Sequence, residues 1–210
     1  MTPNKTQDTG LRTKIDEKLS RWSVAAFGVG AAGEAVYLGL FNTFITIFYN
    51  QVIGLSNTLI GIAIFVALLV DAITDPLIGI ISDNWKSKHG RRHPFLFAAP
   101  IPLALAIYAI FNPPESILNG VDNFTNYVLF AWLASCTIFS RVFLTLYSIP
   151  HLALGGEMSK NHNQRSRLFS ANSAFSYVTG ALFGFLAWGV FFDGDHIRAV
   201  DGMVVPGHLN

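Results

Sequence analysis

Four charged side chains stand inside apolar stretches of this chain: Glu34, Asp71, Asp75 and Arg141. At the centre of a membrane-spanning helix each costs roughly 2.5–3.5 kcal/mol to insert, so each demands a compensating partner. Asp71 and Asp75 are four residues apart, which puts both carboxylates on one face of a helix, one turn and about 6 Å apart along its axis. Carboxylates held that closely repel unless a cation lies between them, a proton neutralises one, or a basic group from another helix pairs with them. Arg141 offers the basic group, and a purely structural ion pair that fixes helix packing is one outcome. That outcome leaves the second aspartate and Glu34 uncompensated, so the pair Asp71 and Asp75 reads as a cation or proton site. Thr74 beside it, and Thr145 and Ser148 three apart, would offer hydroxyl oxygens to a hard cation, although such hydroxyls also bond their own backbone. Pro76 and Pro150 each remove an amide and free a carbonyl nearby. No HExxH, GxSxG or comparable nucleophile pattern accompanies these groups, so binding and movement are expected, with no enzymatic step.

These residues need helices to hold them. Of the 210 residues, 51% are hydrophobic and 13% charged, and the mean hydropathy is +0.43. A soluble domain carries about 25% charge. Apolar segments at about 24–49, 58–81, 94–111, 127–150 and 168–192 each approach or exceed the roughly 20 residues that span a bilayer. No segment alternates with period two, so a barrel is rejected and the fold class is an all-α membrane protein with five transmembrane helices. A formal net charge of +1 gives no footprint for nucleic acid. The single Cys136 excludes an intrachain disulfide.

Charge is informative by position. Five basic residues precede the first span, four (Lys86, Lys88, Arg91, Arg92) separate the second from the third, and three (Lys160, Arg165, Arg167) separate the fourth from the fifth. These are twelve of the chain's 14 basic residues, all on one side, which predicts a cytoplasmic N-terminus and a multi-pass protein of the inner or plasma membrane. Residues 1–23 read as a cytoplasmic leader in which Leu11, Ile15, Leu19 and Trp22 form a short amphipathic helix against membrane lipid. Residues 193–210 read as a polar tail on the outer side. Asp83 and the basic residues Arg91 and Arg92 read as a gating loop that locks one facing state, or as a topology signal touching anionic lipid. His151, at the inner edge of the fourth span, reads as a packed histidine.

The string Asp71-Ala-Ile-Thr-Asp75-Pro-Leu-Ile-Gly79, followed by Ser82-Asp83, Ser87, Gly90-Arg91-Arg92 and Pro94, resembles the second-helix signature of the glycoside-pentoside-hexuronide cation symporters of the major facilitator superfamily. Phe27-Gly28 through Tyr49, Gly54-Leu55, Tyr147-Ser-Ile-Pro150, Ala153-Leu154 and Glu157-Met158-Ser159 resemble the same family. The resemblance implies a twelve-helix carrier of two six-helix halves, of which this chain supplies most of the first and lacks the C-terminal half. It also implies coupling of a sugar or glycoside to sodium or a proton, with no other cofactor. Asp71 and Asp75 fall on the family's cation-binding aspartates and Thr145 on a fourth-helix oxygen ligand. The chain departs from the pattern elsewhere. Ser148 replaces a fourth-helix acid, Asn172 a fifth-helix arginine and Ala35 the sugar-binding aspartate, with Glu34 one residue earlier; Arg141 is an additional charge. Glu34, Arg141 and Asn172 are accordingly expected at the solute, and proton coupling competes with sodium. Two rival expectations are a carrier of the same fold that moves a lysolipid, and a non-transporting structural or sensor protein held together by its buried charges.

Overall fold

The computed structural model describes residues 19–88, 90–118, 123–159, 161–191, 197–200 and 203–206. The expected amphipathic leader lies outside them except for 19–23. Five long helices follow. We label them α1 (Arg21–Val52), α2 (Asn57–Asn84), α3 (His93–Leu118, in three pieces), α4 (Asn123–Glu157) and α5 (His162–Phe191). Among the described residues, α1 to α4 are long and apolar enough to cross a membrane. The thirty residues of α5 open on the polar run from His162 to Arg167, which dilutes its apolar character.

Local chemistry sets the ends. The Ser20 hydroxyl accepts from the Trp22 amide at 3.3 Å to start α1, and the Ser56 hydroxyl accepts from the Leu59 amide at 3.4 Å to start α2. Gly54, between these helices, has φ 87°, a conformation that side chains with a Cβ rarely adopt. The helices overrun the expected apolar segments, because a helix continues into its polar ends beyond the hydrocarbon. Both α2 and α4 run unbroken through Pro76 and Pro150. Their missing amides leave the carbonyls one turn earlier, at Ala72 and Leu146, without the usual helical donor. The C-terminal part of α1 contains two π-helical stretches, Leu40–Phe44 and Phe48–Val52, a widening that recurs at functional positions.

The bundle is organised by α4, which packs against α1, α2 and α3, while α5 lies along α1. A buried stripe at every fourth residue of α1, Tyr37, Phe41, Ile45 and Tyr49, meets Ile60 and Ala63 of α2, Ile110 of α3 and Leu129, Leu133 and Leu144 of α4. The Tyr49 hydroxyl donates to the Ile110 carbonyl at 2.8 Å, so this polar tip is satisfied inside the core.

The tail, expected simply as polar, contains an antiparallel hairpin, β1 (Ile197–Val200) and β2 (Met203–Pro206), with Val200 opposite Met203. The intervening Asp201-Gly202 is a dipeptide favoured in two-residue hairpin connections.

Candidate functional site

Two of the helices that meet at the site, α2 and α4, run in the same direction. Each carries a polar pair at a spacing of four, Asp71 and Asp75 on one, Arg141 and Thr145 on the other. Because both helices rise equally per residue, the pairs meet in register. Arg141 Nη1 lies 2.5 Å from Asp71 Oδ2, and Thr145 Oγ1 donates to Asp75 Oδ1 at 2.9 Å; both contacts join residues 70 apart in sequence. The Asp71 and Arg141 side chains are 15% and 14% exposed, so the ion pair is largely withdrawn from solvent. The Arg141 guanidinium also lies 4.9 Å from the ring centroid of Phe41, in the first π-helical stretch of α1, which adds a cation–π contact.

Two carboxylates and one guanidinium leave a single negative charge. Asp75 carries the excess: it is exposed on the outer face of α2 and its partner is a neutral hydroxyl. One oxygen of Asp71, Oδ1, is buried with no hydrogen-bond partner, as is Arg141 Nε. The arrangement can therefore take up one positive charge next to a preformed ion pair.

Other expected ligands are placed elsewhere. The Thr74 hydroxyl turns to its own helix and donates to the Asp71 carbonyl at 3.4 Å, the backbone alternative open to such residues. Ser148 is half-buried on α4 and is joined to neither aspartate by a hydrogen bond among the described residues. Glu34 is half-buried in a cleft of about 460 Å³ between α1, α3 and α4, lined also by Tyr37, Leu103, Ile107 and Tyr147. It forms no ion pair among the described residues. Asn172 is half-buried on α5 with its Oδ1 sealed and unpartnered. Glu34, Arg141 and Asn172, expected together at a solute, thus occupy three separate environments, with Arg141 engaged by Asp71.

Residues with no sequence signal frame the site. The Tyr37 and Ser140 hydroxyls are 2.9 Å apart, and Ser140 donates to the Thr137 carbonyl at 2.8 Å. Further along the same seam, Tyr147 donates to the Gly30 carbonyl at 2.9 Å and His151 Nε2 lies 3.0 Å from the Phe27 carbonyl. The His151 ring, 4% exposed, stacks on Phe27 with centroids 4.4 Å apart. This matches the expectation of a packed histidine.

At the α4 exit, Arg92 Nη2 contacts Asp83 Oδ1 at 2.8 Å and Glu157 Oε1 at 3.1 Å, and Arg91 reaches Glu157 at 3.4 Å. The loop residues Asp83, Arg91 and Arg92, read from the sequence as a gating loop or a topology signal, pair at helix ends within this bundle: Asp83 lies near the end of α2, and Glu157 at the end of α4 lies beside the start of α3. Sequence reasoning missed Glu157 as the shared acceptor.

A bundle of long apolar helices that buries an ion pair on facing helices and ties their ends together by salt bridges has the architecture of a polytopic helical membrane protein. Residues 26–200 match the family model described as MFS/sugar transport protein, and the chain belongs to that family. It is 32% identical over 161 residues to an uncharacterized symporter, sll1374, of Synechocystis, covering 76% of this chain and 29% of the relative. It is 28% identical over 123 residues to the putative glycoside/cation symporter YagG of Escherichia coli (59% and 25%). It is also 27% identical over 169 residues to the sodium-dependent lysophosphatidylcholine symporter 1-A of Danio rerio (79% and 29%). The chain spans between a quarter and a third of the length of these relatives.

Proposed function

We propose that this chain is the cation-coupling portion of a symporter that moves a glycoside or related sugar across the cell membrane, with the cluster of Asp71, Asp75, Arg141 and Thr145 as the coupling site. The observation that carries the reading is the in-register meeting of Asp71 and Asp75 with Arg141 and Thr145 between α2 and α4. A site with one uncompensated negative charge is costly to move through a low-dielectric interior, and a bound cation removes that cost. Coupling follows when the loaded site alone exchanges sides readily. The basic residues Arg91, Arg92, Arg165 and Arg167 near the α2–α3 and α4–α5 connections favour a cytoplasmic position for those ends and for the N-terminus. Asp83, Arg91, Arg92 and Glu157 then form the inner gate, and a second half-bundle, as the family resemblance implies, covers Asp75 and completes the cavity. The naming of relatives as symporters, one of them of glycosides and cations, supports this reading.

The test is solute accumulation by the intact carrier in proteoliposomes under imposed sodium or proton gradients. Accumulation should occur with one gradient, and Asp75→Asn should reduce it by at least about tenfold while leaving the protein folded. Undiminished accumulation in that variant would show that the buried charges serve packing only.

A second reading is favoured by one feature. The cleft beside Glu34 is lined mainly by apolar side chains and suits an acyl chain with a polar head, and a relative is named as a lysophosphatidylcholine symporter. Competition of labelled sugars against lysolipids in the same vesicles separates the two.

A further inference from the structure

The composition of the site bears on which ion drives it, an inference that rests on the symport reading above. Of the four carboxylate oxygens of Asp71 and Asp75, Asp71 Oδ2 is taken by Arg141 and Asp75 Oδ1 by Thr145. The Thr74 hydroxyl is turned back to its own helix. Asp71 Oδ1, buried and unpartnered, and the second oxygen of Asp75 are the carboxylate oxygens left for an incoming cation, beside the neutral Ala72 and Leu146 carbonyls that the prolines free. A sodium ion that sheds water needs several oxygens in its place, and here it would also have to sit beside a fixed guanidinium. A proton needs one lone pair.

We propose that Arg141 is a tethered counter-ion that takes Asp71 out of ion coupling, leaving Asp75 as the single carboxylate to be neutralised and making the driving ion a proton. The guanidinium is held from two sides, by Asp71 on α2 and by the Phe41 ring on α1, so it is built into the bundle. Among the described residues, Asp71 lies one turn from Asp75 on the same helix, Arg141 pairs with Asp71 from α4, and Tyr37 of α1 lies within electrostatic reach of Asp71 and Arg141. With Arg141 in place, one bound proton brings the three charged groups to zero. With Arg141 removed, two positive charges are needed, and Asp71 becomes available to a metal cation.

The experiment uses the intact carrier in proteoliposomes, with uptake driven by a proton gradient or by a sodium gradient at equal membrane potential. For the unmodified protein, proton-driven accumulation should be unaffected by sodium. Arg141→Gln should gain stimulation by sodium of about tenfold, whereas Arg141→Lys, which keeps the charge, should gain none. If Arg141→Gln fails to fold, the unmodified carrier decides by itself: solute binding in detergent should take up protons from an unbuffered solution, and sodium should leave the solute affinity unchanged. Sodium-driven uptake by the unmodified carrier with the same sodium response in Arg141→Gln, or a rise of its solute affinity on adding sodium, overturns the proposal. Absence of accumulation under either gradient in the unmodified carrier instead defeats the symport reading itself.

Discussion

The two seams that α4 makes with its neighbours use opposite chemistry. Toward α1 the contacts are neutral: Tyr37 with Ser140, Tyr147 with the Gly30 carbonyl, and His151 with the Phe27 carbonyl. Toward α2 they are charged or charge-assisted, Arg141 with Asp71 and Thr145 with Asp75. The neutral seam runs from α4 side chains to the Gly30 and Phe27 carbonyls of α1 and carries no charge for an ion to neutralise. The charged seam carries an unbalanced carboxylate and so responds to whatever neutralises it. One helix thus presents a fixed face to α1 and an ion-responsive face to α2.

That contrast can be broken in order of expected effect. Arg141→Leu leaves Asp71 withdrawn from water without a partner and should cost about 3–5 kcal/mol, read as a fall in the thermal unfolding midpoint in detergent. Adding Asp71→Asn should restore most of the loss, and a double variant no better than the single would mean the two side chains do not act as a pair. On the neutral seam, Gly30→Val should cost about 1–3 kcal/mol by overpacking. A Cβ there would lie 2.5 Å from His151 Nε2 and 2.8 Å from the Tyr147 hydroxyl, so those two side chains must leave their carbonyl partners or α1 and α4 must part. The check is a cysteine cross-link across α1 and α4, which should form more slowly in the variant. Unchanged cross-linking would mean that the side chains give way and the helix separation does not depend on Gly30.

Smaller effects sharpen the picture. Tyr37→Phe deletes one neutral hydrogen bond and should cost about 0.6 kcal/mol, the average for such bonds between membrane helices. A loss several times larger would show that Tyr37 also steadies Arg141. Glu157→Gln removes the acceptor shared by Arg91 and Arg92; Glu157 is 46% exposed and Arg91 59%, while Arg92, 10% exposed, keeps its pair with Asp83. Exposed pairs contribute about 0.2–1 kcal/mol, and their loss should vanish at high salt. A cost that persists in concentrated salt would move this cluster into the same class as Arg141 and Asp71.

The charged seam is legible in the amino-acid sequence. Asp71 and Arg141 sit at nearly the same count along two spans that run the same way, and both spans carry their second polar residue four positions on. Depth and face follow from helical rise and rotation alone. The neutral seam is not legible there, because Tyr37, Ser140 and Gly30 lie in apolar runs and which way they face depends on helix rotation set by packing. Glu34 shows the same limit: its charge marks it as important, but only the bundle reveals that it opens toward α3. Thr74 departs from its expected role because a hydroxyl inside a helix has its own carbonyls within reach. Glu157 gives no signal because its partner lies 65 residues away on another helix. The hairpin has its signal in Asp201-Gly202, which the polar composition of the tail obscures.

The shared spacing of the two pairs has a geometric corollary. Since carboxylates repeat every four residues on α2 and their partners every four on α4, the spacing is that of a vernier whose next setting would lie about 6 Å away. A slip of that length in one direction would hand the guanidinium from Asp71 to Asp75 and carry Thr145 past both. A one-turn slip in either direction would keep one acid covered and uncover the other.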